Sequence, residues 1–277
     1  METNSERPLC RNCGEPLQGP YCHHCGQSAK VVRRHARDLV EDVLGNTLQW
    51  DSRLLLTLKL LFLRPGQLAL DWIEGRRARY VPPFRLYIVA SFIMFLLFGL
   101  LGKEKLVQTD SVQVTPNSTE EIRQSLQEAR EEGDWLSEIL LQGTLQALDD
   151  PAGFRKRVRS RLPNAAFLLL PAFAALHMLV NIRRERYYID HLVFSLHFHA
   201  FAFLLLSVII IAGAISAILG EIAAFLNLLI PVYLAIGFHT FNQQGWGKSI
   251  LKAALVFGAY LILLTVGVAF YVLLSRI

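Results

Sequence analysis

Up to Pro82-Pro83, charged and apolar residues of this chain are interleaved; beyond them they segregate into long blocks. Five apolar stretches read as membrane-spanning helices: Leu86–Leu101, Ala165–Val180, Leu192–Ile211, Ile222–Phe238 and Leu251–Leu274. A helix needs roughly 20 apolar residues to cross the hydrocarbon core, so the first is the shortest acceptable member. Leu54–Leu63 is as apolar but too short to span, and Lys59 interrupts it. It is expected to lie in the interface with Lys59 snorkelling, and Arg64-Pro65-Gly66 ends it. Val31–Leu48 reads as an amphipathic helix with Leu39, Val40, Val43 and Leu44 on its apolar side. Residues 102–150 are predominantly acidic. There Ser118-Thr119-Glu120-Glu121 reads as a capping box, opening a helical hairpin that breaks near Gly133.

The pattern predicts an all-α membrane protein with about five transmembrane helices. Its segments are 1–29, a small cysteine-bearing unit; 30–83, a juxtamembrane amphipathic segment; 84–101, the first transmembrane helix; 102–164, an extracytoplasmic helical loop; and 165–277, a four-helix transmembrane bundle. Composition agrees, with 53% apolar and 18% charged residues and a mean hydropathy of +0.35. METNSERPLC offers no apolar core for a cleavable signal peptide. Twelve Lys and Arg precede Pro82, Arg183, Arg184 and Arg186 follow the second span, and Lys248 precedes the fifth. The positive-inside rule then puts the N-terminus in the cytoplasm and the C-terminus outside. Arg155-Lys156-Arg157-Val158-Arg159-Ser160-Arg161 runs against this order, and a long loop can translocate despite such charge.

An internal similarity favours the same orientation. Leu168-Leu169-Leu170-Pro171-Ala172-Phe173-Ala174-Ala175-Leu176-His177 aligns with Leu228-Leu229-Ile230-Pro231-Val232-Tyr233-Leu234-Ala235-Ile236, followed by His239. Spans two plus three and four plus five then read as two parallel helical-hairpin repeats.

All four cysteines lie in Cys10-Arg11-Asn12-Cys13-Gly14 and Tyr21-Cys22-His23-His24-Cys25-Gly26. Two C-x-x-C-G knuckles supply four thiolates to one tetrahedral site, which suits structural zinc in a ribbon too small to fold without metal. A rubredoxin-like iron site and a redox dithiol are the alternatives, and His23 and His24 are expected to be exposed. With no cysteine elsewhere, the chain points to a reducing compartment for this unit.

Ionisable residues within apolar runs mark functional positions. Asp190, His191, His197 and His199 open the third span, while His177 and His239 close the second and fourth. At about 100° per residue His191, Ser195 and His199 share one face, with His197 roughly opposite His199. An intramembrane ligand or proton site therefore needs His191 or His199 to meet His177 or His239, with Asp190 orienting His191. The alternative is that these imidazoles simply bond neighbouring helices. Arg76, Arg77 and Arg79 form a positive-inside anchor, or a contact for anionic lipid headgroups. G-x-S-x-G, P-loop, H-E-x-x-H and Rossmann patterns are absent, so catalysis is not expected. Aromatic residues are not interleaved with Lys30, Arg33, Arg34 and Arg37, so nucleic acid is not the expected partner despite a pI near 9.1.

The double knuckle, Phe62-Leu63-Arg64-Pro65-Gly66, the block from Ile73-Glu74-Gly75-Arg76-Arg77 to Pro83-Phe84-Arg85-Leu86-Tyr87, and Asp190-His191-Leu192-Val193-Phe194 with His197-Phe198-His199 resemble bacterial inner-membrane proteins grouped as domain of unknown function 3667. The resemblance implies a multi-pass bacterial inner-membrane protein with a zinc ribbon, and no activity comes with it. The residues favour a membrane adaptor or scaffold whose cytoplasmic ribbon docks a protein partner, with lipid or small-ligand binding in the bundle. A transporter or redox protein using the histidines is the alternative, and self-association is left open.

Overall fold

In the computed structural model the described residues are 8–29, 52–101 and 116–274; the helix expected over Val31–Leu48 and the cations Lys30, Arg33, Arg34 and Arg37 lie outside them. Apart from two isolated bridges, Leu9 with Pro16 and Tyr21 with Ser28, the described regular structure is helical. In chain order the helices are α1 (Ser52–Leu63), α2 (Gln67–Ile73), α3 (Pro83–Leu101), α4 (Pro116–Glu132), α5 (Trp135–Asp149), α6 (Pro151–Leu179), α7 (Tyr188–Ile215), α8 (Ala217–Ala224), α9 (Leu229–Asn242) and α10 (Trp246–Leu274). Contacts divide the chain into two compact units, Met1–Leu101 with Phe173–Phe257, and Gly102–Ala172 with Gly258–Ile277.

The first unit is built around α7. From Val193 to Phe201 every residue of this helix is buried, which an amphipathic helix does not do and a helix surrounded by others must. Phe62 of α1 meets Phe201 edge-on at 5.4 Å, and Tyr87 and Phe95 of α3 lie 5.7 and 5.8 Å from Phe203. Phe173 of α6 stacks on Phe198 at 4.9 Å, and Tyr233 of α9 stacks on Phe201 at 3.7 Å. On α3, Leu86, Tyr87, Ala90 and Met94 are buried at helical spacing while Phe92, Leu96 and Leu100 are exposed. The exposed apolar stripe is the lipid-facing side of a membrane helix.

Arg64-Pro65-Gly66-Gln67 joins α1 to α2. The amide of Gln67 donates to the carbonyl of Arg64 at 3.1 Å, and Gly66 has φ 82° and ψ −18°, the signature of a type II turn with proline then glycine at its centre. The turn packs so closely on α9 that a Cβ on Gly66 would fall 2.6 Å from the Gly237 carbonyl oxygen. α2 ends in a Schellman motif: Gly75 at φ 92° donates to Trp72 O, and Arg76 N donates to Asp71 O at 2.8 Å.

Among the described residues four helices are long and apolar enough to cross a membrane, Pro83–Leu101, Tyr188–Ile215, Ala217–Asn242 and Trp246–Gly267, and they make the chain a multi-pass membrane protein. The span expected at Ala165–Val180 is instead the apolar end, Ala166–Leu179, of the longer helix α6, which began earlier because Pro163 sits inside the helix rather than ending it. The fourth span starts at Ala217, capped by Ser216, whose Oγ accepts from Leu219 N at 3.1 Å. It tightens to a 3-10 turn at Phe225–Leu228, since Pro231 removes the amide that would have bonded the Asn227 carbonyl.

In the second unit α4 and α5 form the expected hairpin, broken at Gly133, with Leu126, Ala129 and Leu145 buried between them. α4 is already running at Ser118, so Ser118-Thr119-Glu120-Glu121 is no N-terminal cap. The cap is Asp134 on α5, accepting from Ser137 N and Oγ at 3.2 and 2.6 Å.

Candidate functional site

The two knuckles repeat one backbone pattern. Cys10 N donates to Glu15 O and Gly14 N to Cys10 O, both at 2.8 Å, and the equivalents run from Cys22 N to Gln27 O and from Gly26 N to Cys22 O. This folding turns Cys10, Cys13, Cys22 and Cys25 toward a common centre. The Cys10–Cys25 and Cys13–Cys22 Sγ pairs are 3.6 and 3.5 Å apart, and all four sulfurs lie within 4.8 Å of one another. These separations are too long for disulfides. They suit a tetrahedral metal, because bonds of about 2.3 Å place sulfurs about 3.8 Å apart. Burial raises the Cys25 thiol, but the Gln27 amide, Asn12 and the neighbouring thiols bring it down to about 7. Among the described residues this is the one group of three or more His, Cys, Asp or Glu able to hold a metal ion. A bound ion would complete the ribbon's core, and four protein ligands leave it no open position for a reacting molecule.

The ribbon is bolted to the loop that follows α2. Gln27, the counterpart of Glu15 in the second knuckle, donates from Nε2 to Gly75 O at 2.7 Å and accepts at Oε1 from Arg77 N and Ala78 N at 3.1 and 3.2 Å. Arg79 donates to Asn12 Oδ1 at 3.3 Å and to the Asn12 carbonyl. A Cβ on Gly75 would fall 2.9 Å from Arg11 Cδ, and its φ of 92° is a backbone conformation that favours glycine.

Asp71 holds the loop from inside. Its Oδ1 accepts from Gln67 Nε2 at 2.7 Å and from Arg76 Nε and Nη2 at 3.2 and 2.6 Å, and its Oδ2 accepts from the Tyr80 hydroxyl. Burial pushes this carboxyl up, yet the hydrogen bonds from Tyr80, Arg76 and Gln67 outweigh it and hold the group below its usual range. Burial and Asp71 push the Tyr80 phenol up to about 12. Arg76 also pairs with Glu74, and Arg77 donates to Trp72 O at 3.0 Å with its guanidinium 5.2 Å from the Trp72 ring. The three arginines singled out in the sequence thus fasten the α2 loop to itself and to the ribbon.

The histidines divide into one pair and three separate rings. His177 of α6 and His191 of α7, both fully buried, meet through their Nδ1 atoms at 3.2 Å. Asn242 Nδ2 lies 3.4 Å from His177 Nε2, and Phe194, Phe238 and Phe241 close around the His177 ring. With the Asn242 amide donating, Nε2 of His177 accepts, and a neutral ring donates from Nδ1 to His191. His197 and His199 are buried, and their Nδ1 atoms bond the carbonyls of Val193 and Ser195 one turn back at 2.9 and 2.8 Å. His199 shares the α6-facing side with His191, lying edge-on to Phe173 at 5.2 Å, as the helical spacing predicts. His239 instead bonds Gln244 O at 2.6 Å and stacks on Trp246 at 4.1 Å. Asp190 turns to its own helix end, where Oδ2 accepts from Tyr187 N at 3.0 Å.

Sequence reasoning missed Gln27, Asp71, Asn181 and Asn242. Asn181 donates to His177 O at 2.9 Å and accepts from Lys252 Nζ at 2.8 Å. For Asp71, Asn181 and Asn242 the one signal is a polar residue within or at the edge of an apolar block, and Gln27 has no such signal.

Residues 51–95 match the family described as Protein of unknown function (DUF3667). The match covers α1, α2, the arginine loop and the first part of α3. No curated protein and no solved structure matches the chain.

Proposed function

We propose that this chain is a membrane-embedded adaptor whose zinc-stabilised ribbon, on the cytoplasmic side of a bacterial inner membrane, receives a protein partner. The observation that carries the reading is the ribbon's docking. Gln27, Asn12 and Arg11 commit one side to the arginine loop, while Leu9 and Tyr21, the residues before the first cysteine of each knuckle, stay 63% and 65% exposed. Two equivalent apolar side chains on a rigid, closed metal unit favour recognition over chemistry.

A second reading rests on the buried His177–His191 pair with Asn242, which suits a proton path or a small ligand inside the bundle.

One experiment separates the two. A photo-crosslinking residue is placed at Tyr21, and metal per chain is measured on purified protein, for the wild-type background and for a variant with all four cysteines changed to serine. The adaptor reading expects one zinc per chain, lost in the variant, and a discrete protein adduct at Tyr21 that disappears with the metal. Lipid adducts alone, or an adduct that persists without metal, would sink it. A metal that survives replacement of the cysteines favours the histidine reading.

A further inference from the structure

The loop between α6 and α7 and the start of α10 line a half-open cleft of about 410 Å³ whose polar lining is Asn181, Arg183, Arg184, Gln244, Lys248 and Lys252. Four of these carry positive charge and none is acidic. Arg184 also lines a neighbouring cavity, together with Glu74, Glu185, Arg186 and Asp190. Lys248 and Lys252, one turn apart, lie on one face of α10, and Gln244 lies just before the helix begins. Lys252 Nζ donates to Asn181, whose side chain is buried.

Gln244 supplies the independent observation. It is only 8% exposed, and its Nε2 has no hydrogen-bond acceptor among the described residues. A buried donor left unpaired is costly and calls for a missing acceptor. The carbonyl end of α6 and the positive-inside bias would account for cations here, but neither accounts for the unpaired donor of Gln244. The cleft also lies where Trp246–Gly267, a helix long and apolar enough to cross a membrane, begins.

We propose that this cleft binds a phosphate-bearing anion, either the phosphodiester of an acidic lipid headgroup or a soluble phosphate ester. The Lys and Arg side chains supply the charge and Gln244 Nε2 donates to a phosphate oxygen. The site shares Arg184 with the cavity that Arg77 lines, contains none of Arg76, Arg77 and Arg79, and does not depend on the adaptor reading.

The test uses full-length protein in neutral detergent, with lipid binding read by native mass spectrometry and soluble-ligand binding by thermal shift. The probes are phosphatidylglycerol, phosphatidylcholine and glycerol phosphate. The variants are Lys248→Gln, on an exposed side chain, Gln244→Glu, which puts a carboxylate in the cleft, and Lys59→Gln as an off-site control. Preferential phosphatidylglycerol binding, weakened about fivefold by Lys248→Gln, abolished by Gln244→Glu and unchanged by Lys59→Gln, supports a lipid headgroup. A glycerol phosphate shift with the same variant pattern, and no preference between the lipids, supports a soluble ester. Affinities for all three probes that are equal in wild type and Lys248→Gln overturn the proposal, as does an equal loss in Lys59→Gln.

Discussion

Asp71 is where the arginine loop and α2 become one object, because three side chains, Gln67, Arg76 and Tyr80, converge as donors on a carboxylate with almost no exposure. Its depressed pKa fixes a pH window. The unfolded carboxyl titrates near its ordinary value and the folded one below it, so the stabilisation is full above about pH 4–5 and is lost as pH falls through the folded value. Asp71→Asn keeps the size but removes the charge that Arg76 needs, at an expected cost of about 2–3 kcal/mol at neutral pH. Thermal unfolding of detergent-purified protein from pH 7 to pH 3.5 should show the wild-type advantage shrinking below pH 5. Parallel curves for wild type and variant over that range would remove Asp71 from the account. The four cysteines and the shared face of His191 and His199 were legible because ligand spacing and helical periodicity are local geometry. Gln27 was not, since its partner Gly75 lies 48 positions away and only the tertiary path brings them together.

At the scale of elements, the α1–α2 turn shows how local sequence and tertiary packing impose the same residue. Proline then glycine specifies the type II turn, and that turn lays its backbone on Gly237 of α9, whose own Cβ position is 3.1 Å from Phe194. Gly66→Ala therefore meets two penalties, a left-handed backbone and a 2.6 Å clash with backbone oxygen, and should cost about 2 kcal/mol or more. Gly258→Ala on α10, where an added Cβ meets nothing within 4 Å, is the control and should be neutral or mildly stabilising. Matching unfolding midpoints for the two variants would mean that the α1–α2 turn is not locked against α9. The membrane helices and the short α1 were readable from their apolar blocks, whereas α2 was not read and α4 carries no apolar block. Their ends were less so: Pro163 continues a helix, and Ser216, a favoured N-cap residue, starts one inside an apolar run.

The whole molecule must reconcile four clear spans with the placement of their ends. Trp72, Glu74 and Arg77, just before α3, line one cavity with Arg184, Arg186 and Asp190 at the start of α7. α3 and α7 therefore begin on the same side of the membrane, while α3 ends on the other. The chain between them has to return across the bilayer, and its apolar stretch is Ala166–Leu179, about 21 Å long at 1.5 Å per residue. That is short of the roughly 30 Å core, yet no charged residue occurs from Leu162 to Ile182, which gives the crossing its remaining length. The His177–His191 contact agrees, since it joins the end of one crossing to the start of the next on the side where Phe241 O accepts from Arg186 at 2.7 Å. The expectation is five crossings, with compartment-sensitive reporters fused at Asn117, Gln243 and the C-terminus reading outside, inside and outside. Opposite readings at Asn117 and Gln243 would establish the return through α6, and inside at Gln243 would put the ribbon in the cytoplasm. Matching readings would leave α6 on one side of the membrane and separate the two histidines that the folded chain brings together.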